Sequence, residues 1–231
     1  MLISIIIPTY NESGTILQIL KKVKKENGKI YNFEVIVVDD GSIDNTEELL
    51  KENVNLYDSY LKLHSNQGKG AAVKKGLSVS NGDYILFQDA DLEYNPSDYS
   101  NILNVVKEYN PDVVIGSRFK NNEFTKVLYF WNKIGNKFLT TFFNLLFNTT
   151  FTDIYSCYFL YKKELVNSKN LRTKGFSQQA EILSKAIRKG RSFYEVPISY
   201  NGRTFDEGKK IKFYHIFGVI TTILINRFKP L

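Results

Sequence analysis

Short, continuously apolar runs alternate with amphipathic stretches through the first half of this chain, and few folds tolerate that pattern. Residues 2–7, 33–38, 84–87 and 113–115 are rich in β-branched and aromatic side chains. Runs that stay apolar on both faces belong to strands covered on both sides. Helical spacing appears between them. Ile16, Leu17, Ile19, Leu20 and Val23 mark one helix to about Lys25, with Asn11 or Ser13 as its cap. Leu49 and Leu50 mark a shorter one behind Asp44 or Asn45. Residues 60–64 read as a weaker strand, and Gly68 and Gly70 as a loop opening a helix over 71–77. Strands separated by helices predict an α/β fold, a Rossmann-like, mostly parallel sheet with helices on both faces.

The second half reads differently. Phe130, Ile134, Phe138, Phe142 and Leu145 recur at helical spacing within 127–147, opposite Asn132, Lys133, Asn136, Lys137, Thr140 and Asn144. Residues 158–161 and 194–198 read as strands and 180–189 as a helix. An apolar stretch, 216–225, follows Lys209, Lys210 and Lys212. These amphipathic segments are either core helices or helices lying in a membrane interface, with Trp131 at headgroup level. Neither reaches the ~20 apolar residues that span a bilayer. Residues 2–7 are too short for a signal peptide, so the expectation is a cytoplasmic protein held peripherally at the membrane face. The single cysteine, Cys157, excludes an internal disulfide and reads as a small buried residue. His64 and His215 lack metal-ligand spacing to it or to each other.

The net charge of +7 hides an asymmetry. Residues 1–115 carry 11 lysines, no arginine and 17 acids, for −6, whereas 116–231 carry 20 basic residues and 7 acids, for +13. The division suggests an acidic half that holds a cation and a basic half that meets an anionic partner or membrane. The six arginines are scattered and no nucleic-acid reading motif is present, so nucleic acid is not an expected partner.

Three strand ends carry chemistry-bearing residues. In an open parallel sheet, ligands bind at the carboxyl ends of the strands. The first end delivers Pro8, Tyr10 and Glu12; the second delivers Asp39-Asp40-Gly41-Ser42; the fourth delivers Asp89-Ala90-Asp91, followed by Glu93. Two carboxylates one residue apart suit Mg²⁺ or Mn²⁺, hard cations that reach protein through one or two acids plus a diphosphate. Tyr10 offers a ring edge to a base, and Asp39 can accept an N–H of uracil or guanine. Gly41 permits a close backbone approach.

Taken together, residues 7–12, 38–44 and 68–72 with the Asp89-Ala90-Asp91 triplet resemble glycosyltransferase family 2. Gly116-Ser117-Arg118, Thr152-Asp153, Cys157-Tyr158, residues 195–198, Tyr200, Arg203 and residues 207–211 resemble its dolichol-phosphate mannose synthase-like branch. The resemblance implies a GT-A fold and a metal-dependent, inverting transferase using a UDP- or GDP-sugar. It implies one domain over 1–231, a nucleotide-sugar-binding half at 1–118 and an acceptor-binding half with amphipathic helices at 119–231. Pro8, Tyr10 and Glu12 would line the nucleoside pocket, Asp39 would read the base, and Asp40, Lys69 and Ala90 would lie near the nucleotide. Asp89 and Asp91 would hold Mg²⁺ or Mn²⁺, with Glu93 as a further ligand. Arg118 and Arg203 would face a phosphate, supported by Lys210.

The implied acceptor is a polyprenyl phosphate, whose oxygen is already anionic and needs no protein base. A sugar hydroxyl of a surface glycan is the alternative, and it would need one. Asp153 and Glu181 are the candidates. A non-catalytic module binding nucleotide sugars is the other reading. Phe159 departs from the branch, in which a basic residue is expected after the Cys-Tyr pair.

Overall fold

A computed structural model describes residues 1–120, 126, 129–173, 175–202 and 215–229. Among these residues seven strands form one sheet: β1 (Leu2–Thr9), β2 (Asn32–Asp39), β3 (Ser59–Lys62), β4 (Tyr84–Phe87), β5 (Val113–Ser117), β6 (Phe159–Lys162) and β7 (Phe193–Pro197). Their spatial order is β3-β2-β1-β4-β6-β5-β7. Every pairing is parallel except those of β6, which runs antiparallel between β4 and β5. Strand direction is set by long-range pairing, so the local pattern of 158–161 could announce a strand but not its reversal.

Among the described residues there are seven α-helices: α1 (Ile16–Glu26), α2 (Thr46–Glu52), α3 (Lys69–Val79), α4 (Tyr99–Tyr109), α5 (Phe130–Phe147), α6 (Gln178–Lys189) and α7 (His215–Phe228). Six of the eight residues of β1 are buried, including consecutive ones, so both faces of the sheet are covered. α1 buries Ile16, Ile19, Leu20 and Val23 completely and turns its lysines outward. Each such side chain contributes about 1.5–3 kcal/mol of burial. α4 is absent from the sequence reading, although Tyr99, Ile102, Leu103 and Val106 carry the spacing and are all buried.

α5 behaves otherwise. It buries only Leu139, Thr140 and Phe143. Phe130, Trp131, Ile134, Phe138 and Leu145 stay exposed, Trp131 at 78% and Leu145 at 82%. α7 packs on α5 and α6, and leaves Phe217 and Phe228 exposed. Among the described residues no helix is long and apolar enough to cross a membrane.

Candidate active site

The loops after β1 and β2 are laced together, which corrects the expected cap of α1, whereas Asn45 takes the cap position of α2 as expected. Asn11 does not cap α1. It sits at φ +54° and its side-chain oxygen accepts the Ile43 N–H at 2.9 Å. Ser13 likewise gives its backbone N–H to Asp44, and Glu12 gives its own to the Thr46 hydroxyl. The Glu12 carboxylate accepts the Thr15 hydroxyl at 2.9 Å. Gly41, at φ +75°, is needed for a close approach, though to protein: a Cβ there would lie 2.7 Å from the Ser65 carbonyl carbon.

Pro8 and Tyr10 stand on this rim, partly exposed. Asp39, expected to read a base, is fully buried. Its oxygens accept the Ser42 N–H at 2.8 Å and the Tyr60 hydroxyl at 3.1 Å. Asp40 is buried too and accepts the N–H groups of Gln67 and Gly68, both at 2.8 Å. Burial pushes its pKa above the usual carboxylate value, and those two donors only partly offset it. Both aspartates therefore hold loops in this structure. Asp40 fixes the turn that delivers Lys69 as the first residue of α3.

Lys69 lies on the cavity wall with its ammonium on Asp89 Oδ1. Burial works against that charge, but Asp89 outweighs it and holds the lysine above its ordinary range. Asp91 is 7% exposed and its Oδ1 accepts the Glu93 N–H at 3.0 Å. Ala90 is buried between them. Glu93, expected to be a further metal ligand, accepts the Tyr200 hydroxyl at 2.9 Å. Among the described residues no three His, Cys, Asp or Glu side chains gather into a metal cage. The pair nonetheless fits a hard divalent ion shared with a diphosphate, because a mode of one or two carboxylates leaves most positions to substrate and water. The cation already seated on Asp89 shows that its oxygen faces a place where positive charge is stabilised.

Beneath the triplet lies a buried network that the sequence reading missed. Gln88 is fully buried and donates to the Asp89 carbonyl at 2.9 Å. Its oxygen accepts the hydroxyls of Tyr99 and Tyr158 at 2.7 and 2.9 Å. A glutamine directly after an apolar strand was the available signal, because a buried amide needs partners. Cys157 is buried as expected, and its thiol meets Asp89; burial pushes that thiol far up.

The scattered motifs of the second half converge on Arg118. Its guanidinium makes a fork with Asp153, Nε to Oδ2 at 2.7 Å and Nη2 to Oδ1 at 2.8 Å. It lies 5.0 Å from the Tyr200 ring centre. Burial opposes this charge, but Asp153 more than offsets it and keeps the arginine ionised. Asp153 is fully buried and also accepts from Asn136 and the Tyr155 N–H. Glu195 in turn accepts the N–H groups of Thr152 and Asp153. Glu181 is buried away from the cavity lining and accepts from Thr173, the Arg172 N–H and Lys185. Neither acid expected as a base is open to a substrate. Arg203 and Lys210 lie outside the described residues.

A cavity of about 580 Å³ joins these parts. Lys69, Asp89, Glu93 and Arg118 supply the charged groups of its lining. Leu139 and Trp131 of α5, Ile182 of α6, and Ile216 and Val219 of α7 line the rest.

The model of the family described as "Glycosyl transferase family 2" matches residues 4–168, most of the chain. The chain belongs to glycosyltransferase family 2. Relatives share its sequence across most of its length. The dolichyl-phosphate beta-glucosyltransferase of Saccharomyces cerevisiae is 32% identical over 86% of this chain, and glycosyltransferase AglJ of Haloferax volcanii is 28% identical over 87%. The chain spans 66% and 63% of those two relatives, respectively. Among solved structures, glucosyl-3-phosphoglycerate synthase from Mycobacterium tuberculosis, in complex with phosphoglyceric acid, superimposes with a TM-score of 0.72 at 18% identity. That match covers 99% of this chain and 81% of the other. S. aureus TarS gives 0.65 at 20% identity, covering 98% and 67%. These similarities show the GT-A fold. Within the family pattern Phe159 is core, 1% exposed and against Phe87 and Tyr161, where a basic side chain would be desolvated.

Proposed function

We propose that this family 2 chain transfers a sugar, with inversion, from a UDP- or GDP-sugar to a polyprenyl phosphate at a membrane surface. One observation carries the acceptor reading: the cavity lined by Asp89 and Arg118 is also lined by apolar side chains of α5, α6 and α7. Charged groups and apolar walls around one cavity suit a lipid phosphate better than a sugar hydroxyl. The state of Asp153 and Glu181 points the same way. Both are buried and occupied by donors, so neither is free to take a hydroxyl proton. A phosphate acceptor makes no such demand.

The relatives support this reading. The yeast relative's name pairs dolichyl phosphate with glucosyl transfer, and the M. tuberculosis neighbour was solved with Mn²⁺ and UDP. In the proposed reaction Asp89 and Asp91 would hold Mg²⁺ or Mn²⁺, and the ion would stabilise charge on the departing nucleotide diphosphate. Arg118, kept charged and rigid by Asp153, orients the acceptor phosphate. The apolar wall excludes water that would otherwise compete as acceptor. Pro8, Tyr10 and Glu12 border the nucleoside, with Asp39 shaping that rim from beneath. The exposed apolar residues of α5 and α7, flanked by exposed Lys133, Lys137 and Arg227, dock the chain on an anionic bilayer. One sheet threads both halves, which supports a single domain over 1–231.

The test is transfer of labelled sugar from UDP-glucose and GDP-mannose, with Mn²⁺, to dolichyl phosphate in vesicles or to glycan oligosaccharides. Label entering an organic-soluble, mild-acid-labile product is expected. Label entering only oligosaccharide would replace the lipid acceptor with a hydroxyl one. Nucleotide binding without transfer to either would leave a binding module.

A further inference from the structure

We infer that Lys69 is a resident counter-cation of the acid triplet: the divalent ion displaces it from Asp89, and its freed ammonium then meets the donor diphosphate. The inference rests on the metal-dependent donor reading above and assigns the order in which that site fills.

The Lys69 ammonium sits on Asp89 Oδ1, so a cation already holds an oxygen that a metal would take. The pair faces the cavity and not the core: the lysine side chain is 46% exposed and the aspartate 22%. Asp89 also meets the buried Cys157 thiol, so of its two side-chain partners the exposed lysine is the one with room to move. Asp91 is engaged by the Glu93 N–H and stays in the triplet turn.

The anchoring of Lys69 suits a swing. Its main chain opens α3, and the two peptides before it are held by Asp40 through Gln67 and Gly68. Gly68 takes φ +92°, which fixes the direction of the turn. The backbone is thus held while a flexible four-carbon stem carries the charge. A dication arriving at Asp89 repels the ammonium, and a diphosphate arriving with it offers the ammonium a new partner. Metal alone must therefore compete with Lys69, whereas metal and nucleotide together do not.

Calorimetric titration of Mn²⁺ into the full chain tests this, without nucleotide, with UDP and with GDP. Wild type is compared with Lys69→Met, with Lys75→Met and with Asp89→Asn. Lys75 is exposed on the same helix and controls for loss of one charge. Lys69→Met is expected to bind Mn²⁺ alone at least fivefold more tightly than wild type. The same variant is expected to bind nucleotide in the presence of Mn²⁺ at least tenfold more weakly, so the mutual enhancement of metal and nucleotide collapses. Lys75→Met changes neither by more than twofold. On an Asp89→Asn background, Lys69→Met leaves Mn²⁺ affinity unaltered. Lys69→Gln stands in if the methionine variant does not fold. Unchanged or weaker binding of Mn²⁺ alone by the folded Lys69 variant overturns the inference while the donor reading survives. A wild-type chain that binds no Mn²⁺ with either nucleotide overturns both.

Discussion

The loops after β2 and β4 leave the same sheet edge, and each begins with aspartates that look alike in sequence. Their fates are opposite. Asp39 and Asp40 are 0% and 3% exposed and are occupied by three backbone N–H groups and a tyrosine hydroxyl. Asp89 faces a cavity and is balanced by a lysine side chain. A carboxylate tied to main-chain donors is a staple, because releasing it leaves buried amides unpaired. A carboxylate balanced by a mobile ammonium can change partners. The distinction lies in what surrounds the acid and not in the acid itself.

Substitutions can break or sharpen this contrast. The largest effect is expected at the working loop. Asp89→Ala should lower sugar transfer by on the order of 10³-fold, as loss of a charge-stabilising group does, while the thermal midpoint moves little. A variant keeping a tenth of wild-type transfer would place Asp89 among the staples. The stapling loop should respond in the opposite currency. Asp40→Ala strands two N–H groups and should cost about 1–3 kcal/mol in urea denaturation. A stable Asp40→Ala protein would dissolve the contrast.

Glu181 extends the staple class to α6 and adds a pH signature. Burial pushes its carboxyl up, but Lys185, Thr173 and the Arg172 N–H outweigh that and hold it below the usual glutamate range. A folded-state pKa below the unfolded value contributes stability above the unfolded value, about 4.3, and loses it as pH falls through the folded one. Glu181→Gln should therefore be about 1 kcal/mol less stable near neutrality. The gap should close in chemical denaturation as pH falls through the depressed folded-state value. A deficit that persists in acid would assign the effect to packing. The smallest effect on stability belongs to the exposed apolar surface. Phe217→Ser, at a residue 67% exposed, should change stability by less than about 0.5 kcal/mol. It should also weaken sedimentation with anionic vesicles. Undiminished vesicle binding would remove α7 from the docking surface.

How much of this was legible beforehand follows from the same physics. Continuous apolar runs located the strands of the first half because burial on both faces leaves a local mark. The Asp89-Ala90-Asp91 triplet after β4 was legible because chain order alone puts it at the sheet edge. The helix α4 carried its mark in Tyr99, Ile102, Leu103 and Val106 and was overlooked. The fork between Arg118 and Asp153 was not legible, because it joins residues 35 apart through a strand whose direction no local pattern specifies. Nor was the division between stapling and working acids, since no periodicity records which N–H groups a folded loop will offer. Glu93 illustrates the point: the family resemblance implies a metal ligand, and no local pattern announces that its carboxylate also accepts the Tyr200 hydroxyl.

The reversed strand β6 has a consequence for how the molecule is made. It fills a slot between β4 and β5, yet it is encoded more than forty residues after β5 ends. Until the ribosome has released that segment, β4 and β5 each present an unpaired edge, the kind of surface on which nascent chains aggregate. Closure of this slot is a non-local event of the type that slows folding. Chaperone engagement during translation would accordingly be concentrated in the window between the emergence of Ser117 and that of Lys162.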